Sequence, residues 1–371
     1  MKKTIKLALI CGARPNFMKI APLIFAIEKH NRNTKSHAKI KPLLVHTGQH
    51  YDVKMSEAFF RDLDIPEPDF NLEVGSGSHA VQTAEIMVRF EKVCLQEKPD
   101  WVVVVGDVNS TMACTIVASK LGIRVAHVEA GLRSFDRTMP EEINRLVTDA
   151  LADLLLTPSR DADRNLLREG VSKDKIKFVG NIMIDTLLRH AEKARALEPQ
   201  KKYNLEDGQY VFVTLHRPSN VDEKKSLTTI IRHLTNLSKK IPVFFPMHPR
   251  TRKNLISFGL QDKIAKTKNM IITDPIGYHE TIGLVDKSAF VLTDSGGLQE
   301  ETTVLGIPCL TLRPNTERPV TITHGTNKLT TLKTLNEDMK ILFEAKNKKR
   351  RVPPLWDGKT AERIIKILAG S

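Results

Sequence analysis

Aromatic residues make up only 5% of the 371-residue chain, and the net charge of +14 is therefore not interleaved with stacking platforms of the kind that single-stranded nucleic acids need. The densest basic run, Lys346-Asn-Lys-Lys-Arg-Arg351, stands beside Pro353-Pro354 and reads as a solvated loop. No nucleic-acid partner is expected; a field of this sign equally attracts an anionic small molecule. Cysteine is scarce as well. Cys11, Cys94, Cys114 and Cys309 show no CxxC spacing and lie in apolar settings, which excludes a disulfide framework and reads as reduced, buried thiols of a cytoplasmic protein. No apolar run approaches the ~20 residues of a membrane span. Lys2-Lys3 ahead of residues 7–11 imitates a signal peptide, but Lys6 interrupts the apolar segment and Arg14 and Lys19 follow at once, so no membrane or secretory role is expected. A GxGxxG fingerprint is missing after the first apolar run, where Gly12-Ala-Arg-Pro-Asn-Phe17 stands instead, and no His/Cys/Asp spacing demands a metal. Neither a nicotinamide site nor any other cofactor is expected.

What the chain does have is alternation. Its length suits two domains, and its 41% hydrophobic and 27% charged residues are those of a globular protein. Short apolar runs at 5–11, 43–46, 101–105, 124–128, 154–157 and 177–179 alternate with helical patterns, the mark of a parallel sheet covered on both faces. Trp101-Val-Val-Val-Val105 is nearly pure valine, as a strand buried on both faces would be. Around 187–208 the composition turns polar and reads as a helix and linker. The alternation then restarts with strands at 210–215, 242–247, 270–273, 289–293 and 309–312. The predicted class is α/β, with two Rossmann-like doubly wound parallel-sheet domains, 1–186 and 187–356.

One stretch organises the second half: an apolar run breaks at Asp294-Ser295-Gly296-Gly297, and a helical pattern follows until Gly306 stops it. Adjacent glycines let backbone amides approach a ligand, and the N-terminus of the new helix favours an anion, a phosphate above all. Glu301, about one turn into that helix, can accept hydrogen bonds from a ribose diol. Arg14, His46, Asp107, Glu129, His216, His248, Ser295 and Arg313 all stand at or just after the carboxyl ends of predicted strands, where open parallel sheets bind their ligands. Arg14, Lys19, His216, Arg217 and Arg318 are cations available to a diphosphate. Asp107, Glu129 and Glu141 form an acidic set suited to general acid/base work, because burial and mutual repulsion can part the pKa values of neighbouring carboxyls.

Several blocks together resemble the non-hydrolysing UDP-N-acetylglucosamine 2-epimerase family. They are Gly12-Ala-Arg14-Pro15 with Lys19, Gln49-His50, Gly106-Asp107, His127-Val-Glu129-Ala-Gly-Leu-Arg133, Pro140-Glu141-Glu142 with Asn144-Arg145, Gly180-Asn181, His216-Arg217, Thr293-Asp-Ser-Gly-Gly297 with Gln299-Glu-Glu301, and Glu317-Arg318-Pro319. The resemblance implies a GT-B fold with an interdomain cleft, a C-terminal helix (357–371) returning to the first domain, a homodimer, and interconversion of UDP-GlcNAc and UDP-ManNAc. It implies Asp107, Glu129 and Glu141 as the acid/base set, with His216 beside the leaving phosphate. Arg14, Lys19, Arg145, Arg217, Ser295, Gly296, Gly297 and Arg318 would bind the substrate, Glu301 the ribose, and the loop from 274, at Ile276 and Thr281, the uracil. A neighbouring regulatory site would draw on Gln49, His50 and His248; Asp52, where the family carries a second glutamine, implies weak activation. The runs at 107–111, 134–139 and 216–220 depart from the family pattern, so the substituents of the sugar stay open. A hydrolysing 2-epimerase, a 2-epimerase for a diacetamido or uronic-acid sugar, a GT-B glycosyltransferase and a non-catalytic nucleotide-sugar sensor share parts of the pattern.

Overall fold

The computed structural model describes residues 3–33, 38–48, 63–344 and 351–370, without the side chains of 3, 14, 15 and 344. The side chain of Arg14, and Gln49, His50 and Asp52, therefore lie outside the described residues, as does 346–350 of the basic run. The chain divides into two compact units, Met1–Thr186 with Pro354–Ser371, and Leu187–Pro353. The boundary falls inside the helix Ile182–Ala196, so the polar stretch that reads as a helix and linker in the sequence is helix through its first half.

The first unit holds a seven-stranded parallel sheet in the order β3-β2-β1-β4-β5-β6-β7. Its strands are β1 (Lys3–Cys11), β2 (Ala38–His46), β3 (Phe70–Asn71), β4 (Trp101–Val105), β5 (Arg124–Val128), β6 (Leu154–Thr157) and β7 (Ile176–Phe178). β4 is buried along its whole length, as its valines require, and lies between β1 and β5. Each such side chain contributes about 1.5–3 kcal/mol by leaving water. Val102 and Val104 pack with Ile10, Val45 and Val125 against Ile86 and Phe90 of the helix His79–Glu97. The C-terminal helix Thr360–Ala369 belongs to this unit. Asp185 caps it, accepting from the amides of Thr360 (3.1 Å) and Ala361 (2.8 Å).

The second unit holds a six-stranded parallel sheet, β10-β9-β8-β11-β12-β13. These are β8 (Val211–Thr214), β9 (Val243–Pro246), β10 (Met270–Thr273), β11 (Phe290–Thr293), β12 (Cys309–Leu312) and β13 (Asn327–Thr330). β11 sits at the centre, fully buried between β8 and β12. Its carboxyl end is thus held on both sides by neighbouring strands where the chain turns into the helix Gly296–Leu305. No helix among the described residues is long and apolar enough to cross a membrane.

Candidate functional site

Polar residues gather at the carboxyl ends of the central strands in each unit. In the first, β4 ends at Gly106, whose φ of +68° is left-handed and whose absent Cβ would lie 2.6 Å from Lys19 Nζ and 3.4 Å from a Glu129 carboxylate oxygen. Only glycine fits there. Glu129 follows β5 with φ +77°, a conformation that costs a residue with a side chain roughly 1–2 kcal/mol and that tends to collect at functional sites. Its carboxylate is buried and paired with the ammonium of Lys19, itself buried. Lys19, expected to meet phosphate, thus faces a carboxylate in this structure. Asn16 braces the same corner, accepting from the amide of Ala13 (2.9 Å) and donating to the carbonyl of Val105 (2.9 Å).

Asp107 is partly exposed and pairs with the guanidinium of buried Arg145. Arg145 is fixed from its other side by Glu142, through Nε at 2.9 Å and Nη2 at 2.6 Å. Burial alone would raise the Glu142 carboxyl, but the amides of Ser134 and Phe135 and the charge of Arg145 bring it below its ordinary value. The divergent loop 134–139 is therefore tied at its start to a permanent carboxylate: Ser134 N at 3.0 Å and Phe135 N at 2.9 Å. A cavity of about 310 Å³ opens beside Asp107. It is walled by Ser76, Gly77, His79 and Gln82, by Asp107, Val108 and Asn109, and by Pro140, Glu141 and Asn144. Three helices begin at it, His79–Glu97, Asn109–Lys120 and Pro140–Leu151. Two carboxyls on one wall of a cavity can take a proton from a bound carbon acid and return one.

Beneath this wall lies a group of charges that sequence reasoning passed over. Asp149, wholly buried, binds His127 Nδ1 (2.6 Å), Arg133 Nη1 (2.7 Å) and the amide of Gly131 (3.0 Å). Burial pushes the Asp149 carboxyl up, and His127 and Arg133 more than offset it, so it stays below its ordinary value. His127 Nε2 in turn meets the carbonyl of Gly106 (2.8 Å). Asp149 thereby fixes the end of β4, from which Asp107 projects.

In the second unit Asp294, the residue directly after β11, is the missed anchor. It is 0% exposed. It accepts from the amides of His216 (3.0 Å) and Arg217 (2.8 Å), from Asn220 Nδ2 (3.0 Å), and pairs with His216 Nδ1 at 3.0 Å. Burial would raise its carboxyl; the His216 ring and these donors lower it. The signal was present in the sequence as a charged residue between an apolar strand and a glycine pair. With Nδ1 engaged, His216 presents Nε2 on its half-exposed side, and the ring of His248 lies 5.5 Å away.

The helix Gly296–Leu305 starts beside Arg318: a Cβ on Gly296 would be 2.7 Å from Arg318 Nη1. Arg318 is held by Glu300 (Nε, 2.8 Å) and by Glu317, which also takes Arg313 Nη2 at 2.8 Å. Burial raises the Glu317 carboxyl, but the two arginines carry it well below the usual range. A helix N-terminus that opens on two glycines, flanked by a fixed guanidinium, is built for an anion. One turn on, Glu301 accepts from Tyr278 Oη at 3.1 Å, and burial pushes its carboxyl up to about 8. Ile276 precedes the helix Tyr278–Asp286, and the amide and hydroxyl of Thr281 both donate to the Gly277 carbonyl at 2.9 Å. Among the described residues no group of three His, Cys, Asp or Glu is arranged to hold a metal.

The family model described as UDP-N-acetylglucosamine 2-epimerase matches residues 32–369. The chain is 44% identical over 374 residues to a UDP-N-acetylglucosamine 2-epimerase of Methanocaldococcus jannaschii, covering 98% of this chain and 99% of that one. It is 42% identical over 328 residues to the UDP-2,3-diacetamido-2,3-dideoxy-D-glucuronate 2-epimerase of Pseudomonas aeruginosa, covering 88% of each. The crystal structure of the Methanocaldococcus jannaschii UDP-GlcNAc 2-epimerase in complex with UDP-GlcNAc and UDP is similar over 99% of this chain and 100% of that one, with a TM-score of 0.88 at 42% identity.

Proposed function

Because the chain belongs to the UDP-N-acetylglucosamine 2-epimerase family and has its GT-B fold, we propose that it interconverts UDP-GlcNAc and UDP-ManNAc without hydrolysis. The observation that carries this reading is the division of labour between the units: an anion-binding helix start with Arg318 and Glu301 in the second, and a cavity with two carboxyls in the first. Gly296, Gly297, Ser295 and Arg318 hold the diphosphate, with Arg217 and Arg14 as further cations, and Glu301 holds the ribose. The segment from Ile276 to Thr281 meets the uracil. His216, oriented by Asp294, donates Nε2–H to the phosphate oxygen that leaves C1.

In the forward direction one acid removes the C2 proton as the C1–O bond breaks, giving UDP and a 2-acetamidoglucal. A second carboxyl, in its protonated form, then gives its proton to C2 from the opposite face while UDP re-adds at C1; the proton gained by the first group and the one lost by the second are reset by exchange with water, so atoms and charge balance without a redox partner. Asp107 and Glu141 reach the cavity directly. Glu129 acts from beneath Gly106, with Lys19 holding its carboxylate in place. Arg145 keeps Asp107 in place.

Incubation with UDP-GlcNAc alone tests the reading: UDP-ManNAc is the expected product, deuterated at C2 when the solvent is D2O. Free ManNAc with UDP would make the enzyme a hydrolysing one, and no reaction without an acceptor would make it a transferase. The Pseudomonas relative favours a second reading, a diacetamido uronic-acid sugar. The described residues that line the cavity weigh against it, since among them are two carboxyls and no lysine or arginine to meet a sugar carboxylate.

A homodimer fits one further feature. Val81, Val88 and Leu95 leave an exposed apolar stripe at seven-residue spacing along the helix His79–Glu97, the pattern by which two copies of a helix pair. The four cysteines are all free and buried, in keeping with a cytoplasmic location.

A further inference from the structure

The cavity of the first unit contains a histidine that the acid/base assignment leaves unused. His79 opens the helix His79–Glu97, is exposed, and lines the same cavity as Asp107 and Glu141. Its Nδ1 lies 3.2 Å from Nδ2 and 3.4 Å from Oδ1 of Asn109, which is buried at the start of the neighbouring helix.

Which ring nitrogen carries the proton is decided by two backbone carbonyls. Gln82 Nε2 donates to the carbonyl of Gly75 at 3.0 Å, so the Gln82 amide is oriented and its Oε1 must accept. The donor to that oxygen is Asn109 Nδ2, at 2.8 Å. From the other side, Asn144 Nδ2 donates to the carbonyl of Asp107 (2.9 Å) and lies 3.3 Å from Asn109 Oδ1. Asn109 is therefore fixed at both ends, with its NH2 toward Gln82 and its carbonyl toward Asn144. The second hydrogen of Nδ2 is left for His79 Nδ1, which accepts it; the neutral ring then carries its proton on Nε2.

We propose that His79 is a further sugar-binding residue of this cavity, presenting Nε2–H to an oxygen of the hexosamine, and that Asn109 is the positioning residue that sets this tautomer. The assignment rests on the 2-epimerase reading for the identity of the sugar. It supplies a donor committed to binding, since Asp107 and Glu141 are given over to moving the C2 proton and a carboxylate accepts hydrogen bonds from a sugar, whereas His79 donates one. Among the described residues, the charged and titratable groups that share the cavity with the ring are Asp107, after β4, and Glu141, on the helix Pro140–Leu151.

The test compares wild type, His79→Ala, His79→Gln and Asn109→Asp in three measurements: UDP binding by calorimetry, UDP-GlcNAc binding by the same method, and UDP-GlcNAc turnover. Loss of one hydrogen bond to a neutral oxygen corresponds to about a tenfold change in affinity. His79→Ala should raise KM and the Kd for UDP-GlcNAc about tenfold, leave kcat within about twofold, and leave the Kd for UDP unchanged, because UDP lacks the sugar. His79→Gln, which keeps a donor, should recover part of the loss. In Asn109→Asp the new carboxylate should draw the proton to Nδ1, which long-range 1H–15N spectra of the ring read directly, and should weaken UDP-GlcNAc although the histidine is still present. Wild-type affinity and KM in His79→Ala would overturn the proposal, as would a wild-type ring protonated on Nδ1. If wild type binds UDP-GlcNAc but forms no UDP-ManNAc, the functional reading fails while the two calorimetric titrations still decide the role of His79.

Discussion

Replacing Glu301 by glutamine should make the protein more stable in alkali and leave it almost unchanged in acid. Glu301 is 5% exposed, one turn into the helix that starts at Gly296, with the carboxylate of Glu300 as its neighbour in sequence. Burial raises its carboxyl from 4.5 to about 8, and the Tyr278 hydroxyl offsets only part of the rise. Between those two values the folded protein keeps a proton that the unfolded chain gives up. The contribution of Glu301 to stability is therefore complete below pH 4.5 and is lost as the pH rises to about 8. At about 1.36 kcal/mol per pH unit, the interval from 4.5 to about 8 sets a ceiling of about 5 kcal/mol on the loss. Glutamine has nearly the same shape, carries no proton to lose, and can still accept from Tyr278. Urea unfolding of both proteins from pH 5 to 9 should show the variant gaining on wild type by roughly 1 kcal/mol per pH unit and levelling off above pH 8. A gap that stays constant across the range would refute the argument. The nucleotide offers a second readout. A ribose diol donating to Glu301 stabilises its ionised form, so UDP binding at pH 6.5 should release close to one proton. Calorimetry in two buffers of different ionisation heat measures that proton, and Glu301→Gln should abolish it.

Gly296→Ala sets a Cβ 2.7 Å from Arg318 Nη1, and Glu300 and Glu317 oppose the retreat of that guanidinium, so UDP affinity should fall about tenfold or more in a titration. Unchanged affinity in the folded variant would remove this turn from the diphosphate site. Asp294→Asn replaces an acceptor with an amide in front of two backbone N–H groups and the His216 ring. It should cost about 1.5–3 kcal/mol in a thermal melt and about 10²-fold in kcat, with UDP binding much less affected. Asp107→Asn, Glu129→Gln and Glu141→Gln, each alone, should lower turnover by about 10²-fold or more while UDP binding is largely kept. Full activity in all three would take the acids out of the mechanism.

The sheets were legible because buried parallel strands are written as continuous apolar runs: β4 reads Trp-Val-Val-Val-Val and β6 reads Leu-Leu-Leu-Thr, and nothing else in a chain of ordinary composition looks like that. β13 was not, because Asn-Lys-Leu-Thr carries one apolar residue, and Asn327 finds its partners, Gln299 and Thr321, only when the chain has folded. β3 is two residues long and leaves no pattern at all. The same contrast holds in the site. Glycines and charges at strand ends can be read one by one, but the partner each charge takes is a long-range choice. Asp149 lies in the last turn of the helix Pro140–Leu151, and its bonds to His127 and Arg133 span 22 and 16 positions of sequence with no local signal. His79 and Asn109 each look like an ordinary helix start, and only their convergence with Asn144 turns three helix starts into one cavity. Lys19 carries the same contrast into function. By its place beside Arg14 it reads as a phosphate ligand, yet its ammonium lies against the buried carboxylate of Glu129. Lys19→Met removes the ammonium against which that buried carboxylate is packed, and with it the contact that positions Glu129. The same contact that turns Lys19 toward a carboxylate therefore keeps Glu129 ready for catalysis, and Lys19→Met should impair turnover through the base more than it weakens UDP binding.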